Sequence, residues 1–186
     1  MPFTKTPIPD LMVFEPSVYG DERGYFFESY NKQNFIRENI SLDFVQDNQA
    51  RSVYGVVRGL HFQLAPHAQT KLIRALEGTI LDVAVDLRKN SPTYGKVFTI
   101  ELSAQNKKQL LVPKGFAHGY SVLTETAEVF YKCDDFYHKE LEGGLAFNDP
   151  ALEIDWKIPA DKMILSAKDT QHAVLSECKH NFVYRG

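Results

Sequence analysis

Apolar and polar positions alternate with a period of two along the middle of the chain. In TILDVAVDL (79–87), Leu81, Val83, Val85 and Leu87 share one face, and Asp82, Ala84 and Asp86 share the other. KVFTIELS (96–103) groups Phe98, Ile100 and Leu102, and AEVFYKCDDFY (127–137) groups Val129, Tyr131 and Cys133. KLIRALEG (71–78) sets Lys71, Ile73 and Ala75 against Leu72, Arg74 and Leu76. Residues two apart lie on the same face of a strand, so each run predicts one. Turn-like groups separate them at 89–95, 103–107, 113–115 and 142–144. Many short strands with Gly and Pro punctuation predict an all-β sandwich or barrel. A helix is expected over 32–40, and a helical turn or two within 167–177. With no linker in view, residues 1–186 are expected to form one domain, with the segment from about 149 packed on the barrel.

Composition narrows the class. A chain of 186 residues with 44% hydrophobic content can bury a substantial core. Its 13 Phe and 9 Tyr suit strands. A formal charge of −3 and a pI near 6.1 provide no general field for nucleic acid, so an anionic ligand would need a local basic cluster. Cys133 and Cys178 are too few for a disulfide framework and lack zinc spacing, and a reducing cytosol is the expected compartment. MPFTKTPIPDLMVFEP has no signal-peptide core, and no apolar stretch approaches membrane-spanning length, so no membrane contact is expected.

The first candidate for chemistry is His61 in RGLHFQ (58–63). The ordinary reading is a core histidine bonded to backbone or water. Its neighbours argue for more. Strict alternation groups Val57, Gly59, His61 and Gln63 and puts Arg58 opposite; a bulge at Gly59 would bring Arg58 to the same side. Lys71 opens the next strand, where a buried ammonium needs a task or a partner. In VPKGFAHGYSVL (112–123) a tight turn precedes a strand carrying His118. This layout resembles the two-motif pattern of the cupin superfamily. Metal-binding cupins carry HxH, whereas Gln63 stands at the second position here and Lys71 would repel a cation. No metal is expected, which leaves His61 to move protons.

Tyr131 is either a wall aromatic or a cavity-lining acid. Asp169 in LSAKD (165–169) either caps a short helix or orients His61 and raises its basicity. Arg23 and Glu28 in YGDERGYFFESYN and Gln46 and Asn48 in VQDNQ form a solvated hairpin or part of a ligand site. In the second reading Arg23, Arg58 and Lys168 hold a diphosphate and the amides read a pyrimidine edge.

The strings DERGYFFESY, QDNQARS, GVVRGLHFQ, QTKLIRALEGTILDVAVDLRKNSPTYGK, LVPKGFAHGYSVL, YKCDDFY and LSAKD occur in order over roughly residues 10–170. Together they resemble the dTDP-4-dehydrorhamnose 3,5-epimerase family. The resemblance implies a cupin-type jelly roll, a homodimer, and catalysis without metal or cofactor. It implies inversion of C3 and C5 of dTDP-4-dehydro-6-deoxy-D-glucose, whose C4 ketone acidifies both carbons. By motif, His61 would be the base, Tyr131 the acid, Asp169 the partner of His61 and Lys71 the stabiliser of the enolate. His118 would line the same pocket. Arg23, Glu28, Gln46, Asn48, Arg58, Glu142 and Lys168 match positions that bind the nucleotide sugar, some of them across the dimer interface. Phe147 and Phe136 depart from the family's more common tryptophan and tyrosine, which bears on pocket shape. Other readings are a single-centre epimerase or ketoisomerase, a non-catalytic sugar-nucleotide-binding cupin, and a metal-dependent cupin. Arg74, Asp82, His67, His138, His172 and His180 carry no role in this reading.

Overall fold

The computed structural model describes residues 3–186. Its strands are β1 (Phe3–Lys5), β2 (Met12–Phe14), β3 (Tyr19–Asp21), β4 (Gly24–Phe26), β5 (Gln46–Val53), β6 (Val57–Gln63) and β7 (Lys71–Glu77). They continue with β8 (Thr79–Asp86), β9 (Val97–Ser103), β10 (Gln109–Val112), β11 (Phe116–Val122), β12 (Thr126–Cys133) and β13 (Glu142–Gly144). The helix α1 (Lys32–Arg37) precedes β5. A six-stranded sheet, β1-β2-β10-β7-β12-β5, faces a five-stranded one, β13-β6-β11-β8-β9, and β3 and β4 form a separate hairpin. The pairings within these sheets are antiparallel, as in a jelly roll.

The predicted alternation in β8 is present, yet nearly every residue of the strand is buried. Ile80 and Ala84 pack between the sheets with Ile73, Leu102, Leu110, Val122 and Val129. Leu81, Val83, Val85 and Leu87 face the other way, against Leu152, Trp156 and Phe182 of the segment after β13. This segment is pinned to β6 as well as packed: Val57 N–H donates to the Ile164 carbonyl at 2.9 Å, and Ile164 N–H to the Gly55 carbonyl at 2.9 Å. The outer face of the six-stranded sheet is covered by α1, where Phe35 meets Leu72 and Leu111.

Two local expectations are corrected and a third holds. The helix expected over 32–40 stops at Arg37, because Asn39 turns left-handed at φ 62°. The 167–177 stretch holds the expected helical turn, a 3-10 turn at Asp169–Gln171, which no side chain caps. EGG (142–144) is strand β13 rather than a turn, pairing with Gln63, Phe62 and His61. Its glycines fit because the Phe62 and His172 rings stand where their Cβ atoms would lie, at 2.4 and 2.3 Å. No helix among the described residues is long and apolar enough to cross a membrane.

The alternation expected along β6 also breaks. His118 pairs with His61 and Tyr120 with Arg58, so two steps along β11 match three along β6. The extra residue falls at Gly59–Leu60, and Arg58 and His61 consequently both point between the sheets while Val57, Leu60 and Phe62 point out. Gly59 has φ 114°, and a Cβ there would meet Gly119 Cα at 2.7 Å and the His118 carbonyl oxygen at 2.8 Å. Gly59→Ala is therefore expected to lower the free energy of unfolding by roughly 2–5 kcal/mol, from left-handed strain plus overpacking against backbone. Urea denaturation checks this, and an unchanged midpoint would contradict the bulge.

Candidate active site

Two adjoining cavities open at one end of the sandwich, of about 470 and 240 Å³. His61, Lys71 and Tyr131 line both, so they stand at the junction. Arg58, His118, Lys168 and Asp169 belong to the larger cavity, and Gln46, Asn48, Gln63, Tyr137 and Glu142 to the smaller. Three strands from the two facing sheets position the junction. In β6 the bulge turns His61 inward, while the regular period over Lys71–Ala75 of β7 and Val129–Cys133 of β12 turns Lys71 and Tyr131 inward beside Ile73 and Val129.

His61 Nε2 lies 2.6 Å from Asp169 Oδ1. The other carboxylate oxygen accepts the Gly59 N–H at 3.4 Å, so the bulge and His61 share one buried carboxyl group. Burial pushes the His61 imidazole below its usual value, against the upward pull of Asp169. This favours a neutral ring that can take up a proton. Burial also lowers Lys71, whose ammonium makes no hydrogen bond among the described residues and lies 5.9 Å from the centre of the Tyr131 ring. The Tyr131 phenol is pushed up to about 12, chiefly by burial, and stays protonated near neutrality.

A second histidine–carboxylate pair stands across the larger cavity. His118 Nε2 meets the fully buried Asp82 at 2.8 Å, and the second Asp82 oxygen has no protein partner. Arg58 donates through Nε to Ser52 at 3.1 Å. Glu142 gathers Lys168 at 2.5 Å and the Tyr137 hydroxyl at 2.7 Å, which holds it below the usual carboxylate range although burial opposes this. Gln46 donates to Asn48 at 3.0 Å and accepts the Tyr137 N–H at 3.1 Å. The Asn48 amide in turn reaches Cys133 Sγ at 3.6 Å.

Gln63, which sits where metal cupins carry a second histidine, clamps loops. It donates to the carbonyls of His67 and Phe136 and accepts the His138 N–H at 2.7 Å.

Not every expected residue converges. Arg23 is tied to Asp21 at 2.6 Å on the β3–β4 hairpin, and Glu28 accepts from Asn31 at 3.1 Å beside α1; neither lines the two cavities. Phe147 packs against the outer core and Phe136 is exposed, so neither replacement alters the cavity walls. Asp82, Tyr137 and His172 are additions. His172 Nε2 is buried without a hydrogen bond 3.8 Å from Asp169 Oδ1, with its ring edge-on to His61. Asp82 shares a face with inward Ala84, a signal the period of β8 already carried; the other two come from loops without one. His61, Asp169 and His172 have donor atoms within 4.8 Å of one another, as a metal would need, but the Lys71 charge acts on His61 and opposes a cation there.

Residues 5–177 match the family model described as dTDP-4-dehydrorhamnose 3,5-epimerase. A protein of that name from Shigella flexneri is 51% identical over 166 residues, covering 89% of this chain and 91% of its own. The crystal structure of the Elizabethkingia anophelis dTDP-4-dehydrorhamnose 3,5-epimerase is 55% identical with a TM-score of 0.90, covering 94% of this chain and 96% of that one. The Legionella pneumophila dTDP-6-deoxy-D-glucose-3,5-epimerase, solved with dTDP-4-keto-L-rhamnose, is 42% identical with a TM-score of 0.94, covering 99% and 98%. The chain belongs to the dTDP-4-dehydrorhamnose 3,5-epimerase family.

Proposed function

We propose that His61, Asp169, Lys71 and Tyr131 are the machinery with which this epimerase converts dTDP-4-dehydro-6-deoxy-D-glucose to dTDP-4-dehydro-L-rhamnose. The observation that carries the assignment is the meeting of a neutral imidazole, an ammonium and a protonated phenol at the junction of the two cavities. The C4 ketone makes the hydrogens on C3 and C5 acidic. His61 Nε2 takes one as a proton, and Asp169, 2.6 Å away, stabilises the imidazolium that forms. The carbon–hydrogen electron pair moves into the ring and leaves negative charge on the C4 oxygen. Lys71, which makes no hydrogen bond among the described residues, is placed to meet that oxygen. Tyr131 returns a proton to the opposite face of the carbon, which inverts it; His61 then gives up its proton to solvent and Tyr131 regains one, and the same cycle serves the second centre. His118, held by Asp82, orients the sugar.

Arg58 and Lys168 give the larger cavity a cationic wall suited to the diphosphate, although Lys168 must share itself with Glu142. Gln46, Asn48, Tyr137 and Glu142 offer the smaller cavity's polar contacts. Arg23 and Glu28 act, in this reading, in a homodimer, where the hairpin reaches the neighbouring subunit's site. Tyr19, Tyr25 and Phe26 of that hairpin are 68%, 63% and 68% exposed, an apolar surface that a second copy would cover. The chain acts as one domain in the reducing cytosol, with Cys133 and Cys178 as free thiols.

The pH profile of kcat/KM follows from the buried groups. The acid limb is expected below the ordinary imidazole value of 6.5, because burial lowers His61. The alkaline limb falls below the ordinary lysine value of 10.5, because burial lowers Lys71. Asp169→Asn removes the charge that holds His61 up, so its acid limb moves lower still while kcat/KM drops about 10²- to 10⁴-fold. A limb that stays put or rises would contradict the dyad. In deuterated water, wild-type product is expected to carry solvent label at both C3 and C5 by mass spectrometry and NMR, and His61→Asn to lose both. Label at a single carbon would make the enzyme a single-centre epimerase; undiminished label in His61→Asn would remove His61 as the base.

A further inference from the structure

Beside the smaller cavity but outside its lining, two loops bring His67, Asp135 and His138 together. We propose that these three side chains bind one divalent transition-metal ion of the zinc type, with Glu140 in reach as a fourth ligand. One donor atom from each of the three lies within 4.8 Å of the others. His67 Nδ1 is 3.4 Å from Asp135 Oδ1 and Oδ2, and His138 Nδ1 is 3.2 Å from Glu140 Oε1. Zinc bonds of about 2.0–2.1 Å in a tetrahedron put ligand atoms about 3.3 Å apart, so one side is already at length and the others close by rotamer adjustment. The His67 and His138 rings stack at 3.9 Å with 19° between their planes, so one ring turns out of the stack for both to aim a nitrogen at the same ion.

The backbone beneath these ligands is held in place. Gln63, at the end of β6, donates to the His67 carbonyl on one loop and to the Phe136 carbonyl on the other, and accepts the His138 N–H. Gln69 donates to the Asp135 carbonyl at 2.9 Å, and Asp134 accepts the Thr70 N–H at 2.6 Å. The loops are thus joined at the backbone before any ion arrives, and the ion would join their side chains. Such backing is what orients metal ligands. Asp135 Oδ1 already accepts the Phe136 N–H at 2.8 Å, leaving Oδ2 for the ion. Lys114, whose charge acts on Asp135, is itself paired with Asp134 at 3.2 Å. The side chains of His67, Asp135 and His138 are 41%, 23% and 31% exposed, open enough for entry and for water to complete the shell. Imidazole and carboxylate donors suit zinc, nickel or copper over magnesium or calcium.

The test is a calorimetric titration of the chelator-stripped full chain with zinc chloride, with the visible spectrum of bound Co2+ as a second readout. One ion per chain is expected, with a tetrahedral Co2+ spectrum and a thermal midpoint that rises with zinc. His67→Ala and His138→Ala should each weaken binding at least about tenfold and abolish the rise, while His61→Asn keeps both. Circular dichroism verifies folding, and His67→Gln and His138→Gln serve if an alanine variant does not fold. Binding untouched by these variants, binding lost in His61→Asn, or no saturable uptake would each overturn the site.

Discussion

The contact between His61 and Asp169 rests on a packing constraint set by the five-stranded sheet. Leu81, Val83, Val85 and Leu87 of β8, with Leu60 and Phe62 of β6, make its outer face as apolar as its inner one. Leaving such a face in water would forfeit on the order of 1.5–3 kcal/mol for each large side chain. The chain after β13 covers it with Leu152 and Trp156, and later with Phe182; between these it pairs with the start of β6 through Ile164. Five residues beyond that anchor comes Asp169, over the mouth of the sandwich and against the base. The cover of the sheet is therefore also the source of the carboxylate that tunes the site.

The inner face at that end is correspondingly polar. Arg58, His61, Lys71, His118 and Tyr131 all point into space that elsewhere in the sandwich holds Ile73, Leu102, Leu110 and Val122. Desolvation acts on each by the sign of its charged form: it lowers the imidazole and the ammonium and raises the phenol. One physical cause thus acts on the His61 imidazole and the Tyr131 phenol together. The cost falls on stability, and the apolar packing on both faces of β8 offsets it.

Much of this was legible in the sequence where strands are regular. The period of β7 and β12 put Lys71 and Tyr131 inward correctly, because no irregularity lies between them and their core neighbours. Strict alternation failed in β6, where one extra residue at Gly59–Leu60 reverses the faces of Val57 and Arg58 relative to His61. A glycine marks such a place without saying whether the strand bulges. Asp82 was passed over although it shares a parity with Ala84, since its partner His118 comes from the neighbouring strand and only the pairing of β8 with β11 joins them. Glu142–Gly144 read as a turn because its glycines make room for the Phe62 and His172 rings, contacts distant in sequence. Arg23, on the β3–β4 hairpin, and Glu28, between that hairpin and α1, carry the motif signal but line neither cavity, because a motif does not tell where its residues sit in space.

The central claim is that base and acid work from opposite faces of one ring. The most direct measurement is the reaction of Tyr131→Phe in deuterated water, with label uptake and inverted product followed separately. Abstraction by His61 survives the loss of the phenol, so label uptake should persist while inverted product falls by at least about 100-fold. Inverted product formed at the wild-type rate would contradict the account, because the second face would then need no acid from Tyr131.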